Sequence, residues 1–130
     1  TEVHRIMDAS IVAAGGQVDG WFYCPHHPRA TIDALRVECD CRKPLGGMVR
    51  QAEAKFAIDL SRSFVVGDKM TDLGLAASVG ARGILVRTGH GEHEIMQQGG
   101  TAPGAAFVAT DLMEATAWMR VQAAAERPAV

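Results

Sequence analysis

Four residues of the chain could together hold a metal ion. Cys24, His26, Cys39 and Cys41 are spaced as C-x-H, twelve residues, then C-x-C, in a stretch interrupted by Pro25 and Pro28. Three thiolates and one imidazole complete a tetrahedral zinc set and leave no position for water, so a zinc ion there would be a structural clasp rather than a Lewis acid. Metal binding would supply the ordering free energy that a loop of this length cannot draw from a core. His27 rivals His26 as a ligand, and small thiols simply packed in a core are the plain alternative to a metal.

Two cations follow the last cysteine directly. Arg42 can grip a phosphate through two parallel hydrogen bonds, and Lys43 is a point charge able to neutralise a transferring phosphoryl group. A solvated surface pair is the alternative, and attachment to a metal loop weakens it. Further along, Val65-Val66-Gly67-Asp68-Lys69 with Asp72 puts carboxylates where an apolar strand ends, the rim at which open α/β sheets bind ligands. Asp68 suits Mg2+, which takes one or two carboxylates plus substrate phosphate and water; it could equally cap the next helix. Asp72, one turn on, is either support for the site or a surface charge.

The elements that must position these residues alternate. Helical spacing is expected over residues 2–14, stopped by Gly15-Gly16, and again over about 48–58. A short aromatic strand is expected at Gly20-Trp21-Phe22-Tyr23, followed by a loop to Pro44. Strand 63–68, helix 71–79 closed by Gly80, and strand 83–87 come next. Strand 106–109 precedes a helix over about 112–124, capped by Asp111 or Thr110. Residues 99–104 form a glycine-rich, exposed loop. The alternation predicts a parallel α/β sheet.

The bulk composition is that of one soluble domain. With 130 residues, 48% hydrophobic content and a formal charge of -2, the chain can bury a core but offers no basic stripe for nucleic acid or membrane. Neither a membrane span nor a signal peptide is apparent, and three cysteines, two of them a residue apart, do not suit a disulfide framework. The expectations are a cytoplasmic protein, a small phosphorylated partner, no nucleic acid and no membrane.

Together, residues 21–28, Cys39-Asp40-Cys41-Arg42-Lys43-Pro44, Val66-Gly67-Asp68-Lys69 with Asp72, and Leu85-Val86-Arg87-Thr88-Gly89 resemble the heptose 1,7-bisphosphate phosphatases of the haloacid dehalogenase superfamily in order, spacing and type. The resemblance runs nearly the whole chain. It implies a doubly wound parallel α/β domain over residues 1–130 with its N-terminal strands missing, and a zinc loop at about 24–41 formed by Cys24, His26, Cys39 and Cys41. It further implies Lys43 and Asp68 as catalytic residues, Asp68 as the Mg2+ ligand, Arg42 in contact with substrate, and Lys69 ordering the site. The implied cofactors are Mg2+ and Zn2+. The implied activity is removal of the 7-phosphate from D-glycero-D-manno-heptose 1,7-bisphosphate in nucleotide-activated heptose and lipopolysaccharide biosynthesis, by a protein that is monomeric when full length.

Histidinol-phosphate phosphatases have a similar zinc loop that looks shorter, so the twelve intervening residues favour the heptose group. A non-catalytic zinc module that binds a phosphorylated sugar is the reading from another class. Two departures from the family stand out. Gly46 replaces a proline usual before the helix, which should soften that entrance. More seriously, no Asp-x-Asp occurs anywhere in the chain, so the nucleophile and the general acid and base are absent, as is the Thr or Ser of the second motif. About 50 to 60 further N-terminal residues are expected, and without them the sheet would have a gap beside the strand ending at Asp68.

Overall fold

A computed structural model describes residues 1–126, so the last four positions of the expected domain lie outside the described residues. Three strands form the sheet, β1 (Phe64–Gly67), β2 (Arg82–Val86) and β3 (Ala105–Ala109), in the order β1-β2-β3, and both pairings are parallel. Parallel neighbours need a crossover. Helix α3 (Met70–Val79) makes the first, and the shorter α4 (Gly91–Gln97) with the following loop makes the second.

Alternation along β2 sends its side chains to two faces, and both are covered. Ile84 and Val86 join Ala109 and Ala115 on one face, under helix α5 (Leu112–Ala125), where Trp118 stacks on Phe107 at 4.9 Å and meets Phe64 edge-on at 5.9 Å. Leu85 joins Leu73 of α3 and Ile95 of α4 on the other. Helices on both faces of a parallel sheet are the doubly wound α/β arrangement expected from the alternation. The helix ends follow local rules. Asp111, not Thr110, caps α5, its Oδ1 accepting the Glu114 N–H at 2.9 Å, and Gly80 closes α3 at φ 77°.

Three expectations are corrected. Gly20–Tyr23 forms no strand, because among the described residues nothing pairs with it and an unpaired segment has no ladder. Helix α2 (Gly47–Lys55) stops before Ile58, its last turn giving way to extended backbone at Phe56, φ -130° and ψ 146°. Helix α4 was not foreseen; in seven mostly polar residues Ile95 is the one buried apolar side chain, too little for a period to show. Helix α1 (Glu2–Ala13) agrees with expectation, yet none of its residues is buried.

Strand β1 pairs only with β2 among the described residues. Beside β1 lies an apolar groove of about 360 Å³ bordered by Phe22, Met48, Ile58, Phe64, Val65 and Val79. No helix among the described residues is long and apolar enough to cross a membrane.

Candidate active site

The C-terminal end of β1 and the loop before α2 meet at one cleft. It has a volume of about 540 Å³, and its lining includes Cys24, Arg42, Lys43, Asp68, Lys69 and Thr71. A parallel strand delivers its last residue to the carboxyl rim of the sheet, which is how Asp68, one residue past β1, comes to face residues that precede it by about twenty-five positions.

Asp68 does not cap α3. Lys69 occupies that position, and the Asp68 carboxylate instead accepts the His90 N–H at Oδ2, 2.9 Å away. This backbone hydrogen bond is the main reason its pKa lies below the ordinary carboxylate value; desolvation opposes it, and a hydrogen bond from its own main chain and the nearby His90 and Lys69 charges add to it. An ionised carboxylate is therefore kept at the rim, able to act as one ligand of Mg2+.

Asp72 is the residue whose role the sequence left open. It is buried, with 7% of its side chain exposed, and forms an ion pair with the Lys43 ammonium through Oδ1. Its other oxygen, Oδ2, accepts the Lys69 N–H at 3.1 Å. Gly67 makes this possible: a Cβ there would overlap Asp72 Oδ2, so only a residue without a side chain lets the carboxylate lie under the strand end. Lys43 is thus aimed from below by a desolvated partner, while Lys69 is exposed.

Cys24, His26, Cys39 and Cys41 converge as the spacing predicted, with one ligand atom from each within 4.8 Å of the others. Sγ of Cys24 is 3.1 Å from that of Cys41 and 3.4 Å from that of Cys39, and His26 Nδ1 is 3.4 Å from Cys41 Sγ. A tetrahedron with zinc–sulfur and zinc–nitrogen bonds has edges of about 3.5–3.8 Å, a value that these separations and the 3.9 Å between Cys24 Sγ and His26 Nδ1 bracket, so the donor set suits that ion. His27 is excluded: its Nδ1 accepts the Arg29 N–H at 3.0 Å and the residue is exposed.

The crowded thiols also titrate apart. Hydrogen bonding, first from Cys41, draws the Cys39 thiol down to about 6, and the bonds Cys41 makes with Cys24 and Cys39, with desolvation, push its own thiol up to about 12. The second negative charge in such a cluster is the costly one, and a divalent cation would remove that cost. The cluster connects to the cleft through Arg42, whose Nη1 donates to the His26 carbonyl at 3.4 Å and whose neighbour in sequence is Cys41. Gly46 is buried, and a Cβ there would come within 2.9 Å of Val79 Cγ1, so the entrance to α2 packs closely against the end of α3.

A protein-family model described as HAD-hydrolase-like matches residues 40–115, more than half of the chain and all three strands. The chain belongs to this family. Within it, the chain is 46% identical over 85 residues to the D-glycero-beta-D-manno-heptose-1,7-bisphosphate 7-phosphatase of Photorhabdus laumondii, a match covering 64% of this chain and 45% of the relative. The enzyme of the same name from Escherichia coli K12 is 45% identical over 85 residues, covering 64% and 44%. The crystal structure of D,D-heptose 1,7-bisphosphate phosphatase from B. bronchiseptica, complexed with magnesium and phosphate, superposes with a TM-score of 0.75 at 35% identity. That match covers 93% of this chain and 63% of the other. The matched region is under half the length of these curated relatives. The HAD-hydrolase-like assignment accounts for the fold and for the position of the cleft at the carboxyl rim.

Proposed function

We propose that this chain is part of a phosphatase that removes the 7-phosphate from D-glycero-D-manno-heptose 1,7-bisphosphate. The observation that carries the reading is the convergence of Lys43, Arg42 and Asp68 on one cleft, with a complete Cys3His set beside it. The relatives' names supply the substrate.

In this reading Lys43, aimed by Asp72, offsets negative charge on the phosphoryl oxygens, and Arg42 grips substrate through paired hydrogen bonds. Asp68 holds Mg2+, which when bound neutralises charge between the phosphoryl group and the rim. Lys69 orders the mouth of the cleft, and Cys24, His26, Cys39 and Cys41 hold a structural zinc that fixes the Arg42-Lys43 segment. The nucleophile comes from an Asp-x-Asp strand that this chain does not contain; the unpaired edge of β1 is where it would pair, its carboxylates emerging beside Asp68. The whole protein would be a cytoplasmic monomer.

The test is phosphate release by the protein as its gene encodes it, with Mg2+, from the heptose 1,7-bisphosphate and from histidinol phosphate. Release from the first at least tenfold faster supports the proposal, and Lys43→Ala should abolish it. Faster release from histidinol phosphate would reassign the substrate, and no release from either would defeat the phosphatase reading.

A further inference from the structure

The turn that follows β2 comes back against Asp68. Residues 88–91 carry the chain from β2 into α4, and Gly89 sits there at φ 63°, in the left-handed region. A Cβ on Gly89 would overlap Asp68 Oδ2, the oxygen that receives the His90 N–H. The turn cannot retreat to make room. Gly91 is buried, and a Cβ there would overlap the Val86 carbonyl, so the turn is already pressed against the end of β2. Its backbone is closed by Gly91 N–H to Thr88 O at 3.2 Å and Glu92 N–H to Arg87 O at 3.1 Å, while Arg87 N–H donates to Ala109 O of β3 at 2.8 Å.

We infer that the Gly89-His90 turn is a positioning element for the Asp68 carboxylate, holding it by a main-chain donor in the rotamer that presents it to a divalent cation. A side chain is flexible where a strand end is not, so Asp68 needs a second contact to stay on the rim. The His90 N–H supplies one, and the missing side chain of Gly89 leaves the space it requires. The donor is backbone, so any residue but proline at 90 supplies it, while the absence of a side chain at 89 is required. His90 is exposed, and no hydrogen bond from its imidazole reaches the carboxylate, so its charge favours ionisation of Asp68 without fixing the rotamer. The inference rests on the reading of Asp68 as a metal ligand.

The experiment uses the protein as its gene encodes it and measures Mn2+ binding by electron paramagnetic resonance, alongside the dependence of turnover on Mg2+. Gly89→Ala should weaken Mn2+ binding by about tenfold or more and raise the Mg2+ concentration needed for half-maximal turnover, with kcat largely recovered at saturating Mg2+. Gly89→Asn tolerates the left-handed backbone yet still carries a Cβ, so it should lose the same affinity, separating the steric effect from backbone strain. His90→Ala keeps the donor and should bind as the parent does. Thermal unfolding of each variant checks the fold. Unchanged Mn2+ affinity in both Gly89 variants, an equal loss in His90→Ala, or no Mn2+ uptake by the parent protein would overturn the inference. Should the affinities behave as expected while no sugar bisphosphate is hydrolysed, the turn's role stands and the proposed activity falls.

Discussion

Ile84 and Leu85 are fully enclosed between helices on the two faces of the sheet, whereas among residues 1–46 only Cys41 and Gly46 are buried, and Val3, Ile6, Val12, Tyr23 and Ile32 remain 52–63% exposed. The sheet half orders itself by removing apolar surface from water. The loop half cannot; what it has instead is four donors closing on one point, and an ion there would do for residues 24–41 what the core does for residues 64–109. The consequence for the cleft is that its two walls rest on different supports, Asp68 on packed strands and Arg42-Lys43 on the donor cluster.

Stripping the metal should break this contrast most visibly. With a chelator, hydrogen exchange should show loss of amide protection across residues 24–46 while β1, β2 and β3 stay protected; equal loss in both halves would mean the sheet depends on the clasp too. Leu85→Ala attacks the other support and should cost about 2–5 kcal/mol in denaturant unfolding. A loss below ~1 kcal/mol would show that the sheet is less closely packed than its burial implies.

A smaller effect joins the two walls. Asp72→Asn keeps an acceptor for the Lys69 N–H but removes the charge that aims Lys43, so turnover of the whole protein should fall by about 100-fold with little change in melting temperature. Unaltered turnover would make the ion pair merely structural. The least effect is thermodynamic. Near pH 7 the Cys41 thiol, pushed up to about 12, still holds its proton and must give it up to a metal, while Cys39, at about 6, is already mostly thiolate. Zinc uptake should therefore release protons and strengthen as pH rises, more steeply below about 6, where Cys39 must also be deprotonated. Calorimetry in buffers of different ionisation enthalpy measures this, and heats independent of buffer would contradict it.

The same contrast explains what the sequence made legible. Val65, Val66, Ile84, Leu85 and Val86 form apolar runs flanked by glycine, so their strands could be placed within a residue or two, and the Cys3His set could be named because metal geometry is written in residue type and spacing. Gly20–Tyr23 has the composition of a strand, but a ladder is a property of two segments and composition describes only one. Asp72 could not be resolved between support and surface because its partner, Lys43, is 29 positions away. The part played by Gly89 and His90 was hidden for a similar reason: a main-chain donor leaves no trace in residue identity, although a glycine after an apolar strand hinted at a close approach.

Gly67 carries the matter one step further. Any methyl group at that position would expel Asp72 from beneath the strand and unhook an ammonium on a different loop, so a single hydrogen atom fixes where a charge sits in the cleft. Electrostatic aim in this protein begins with a vacancy, and a screen for residues that disable the cleft should find one that touches no ligand and bears no functional group.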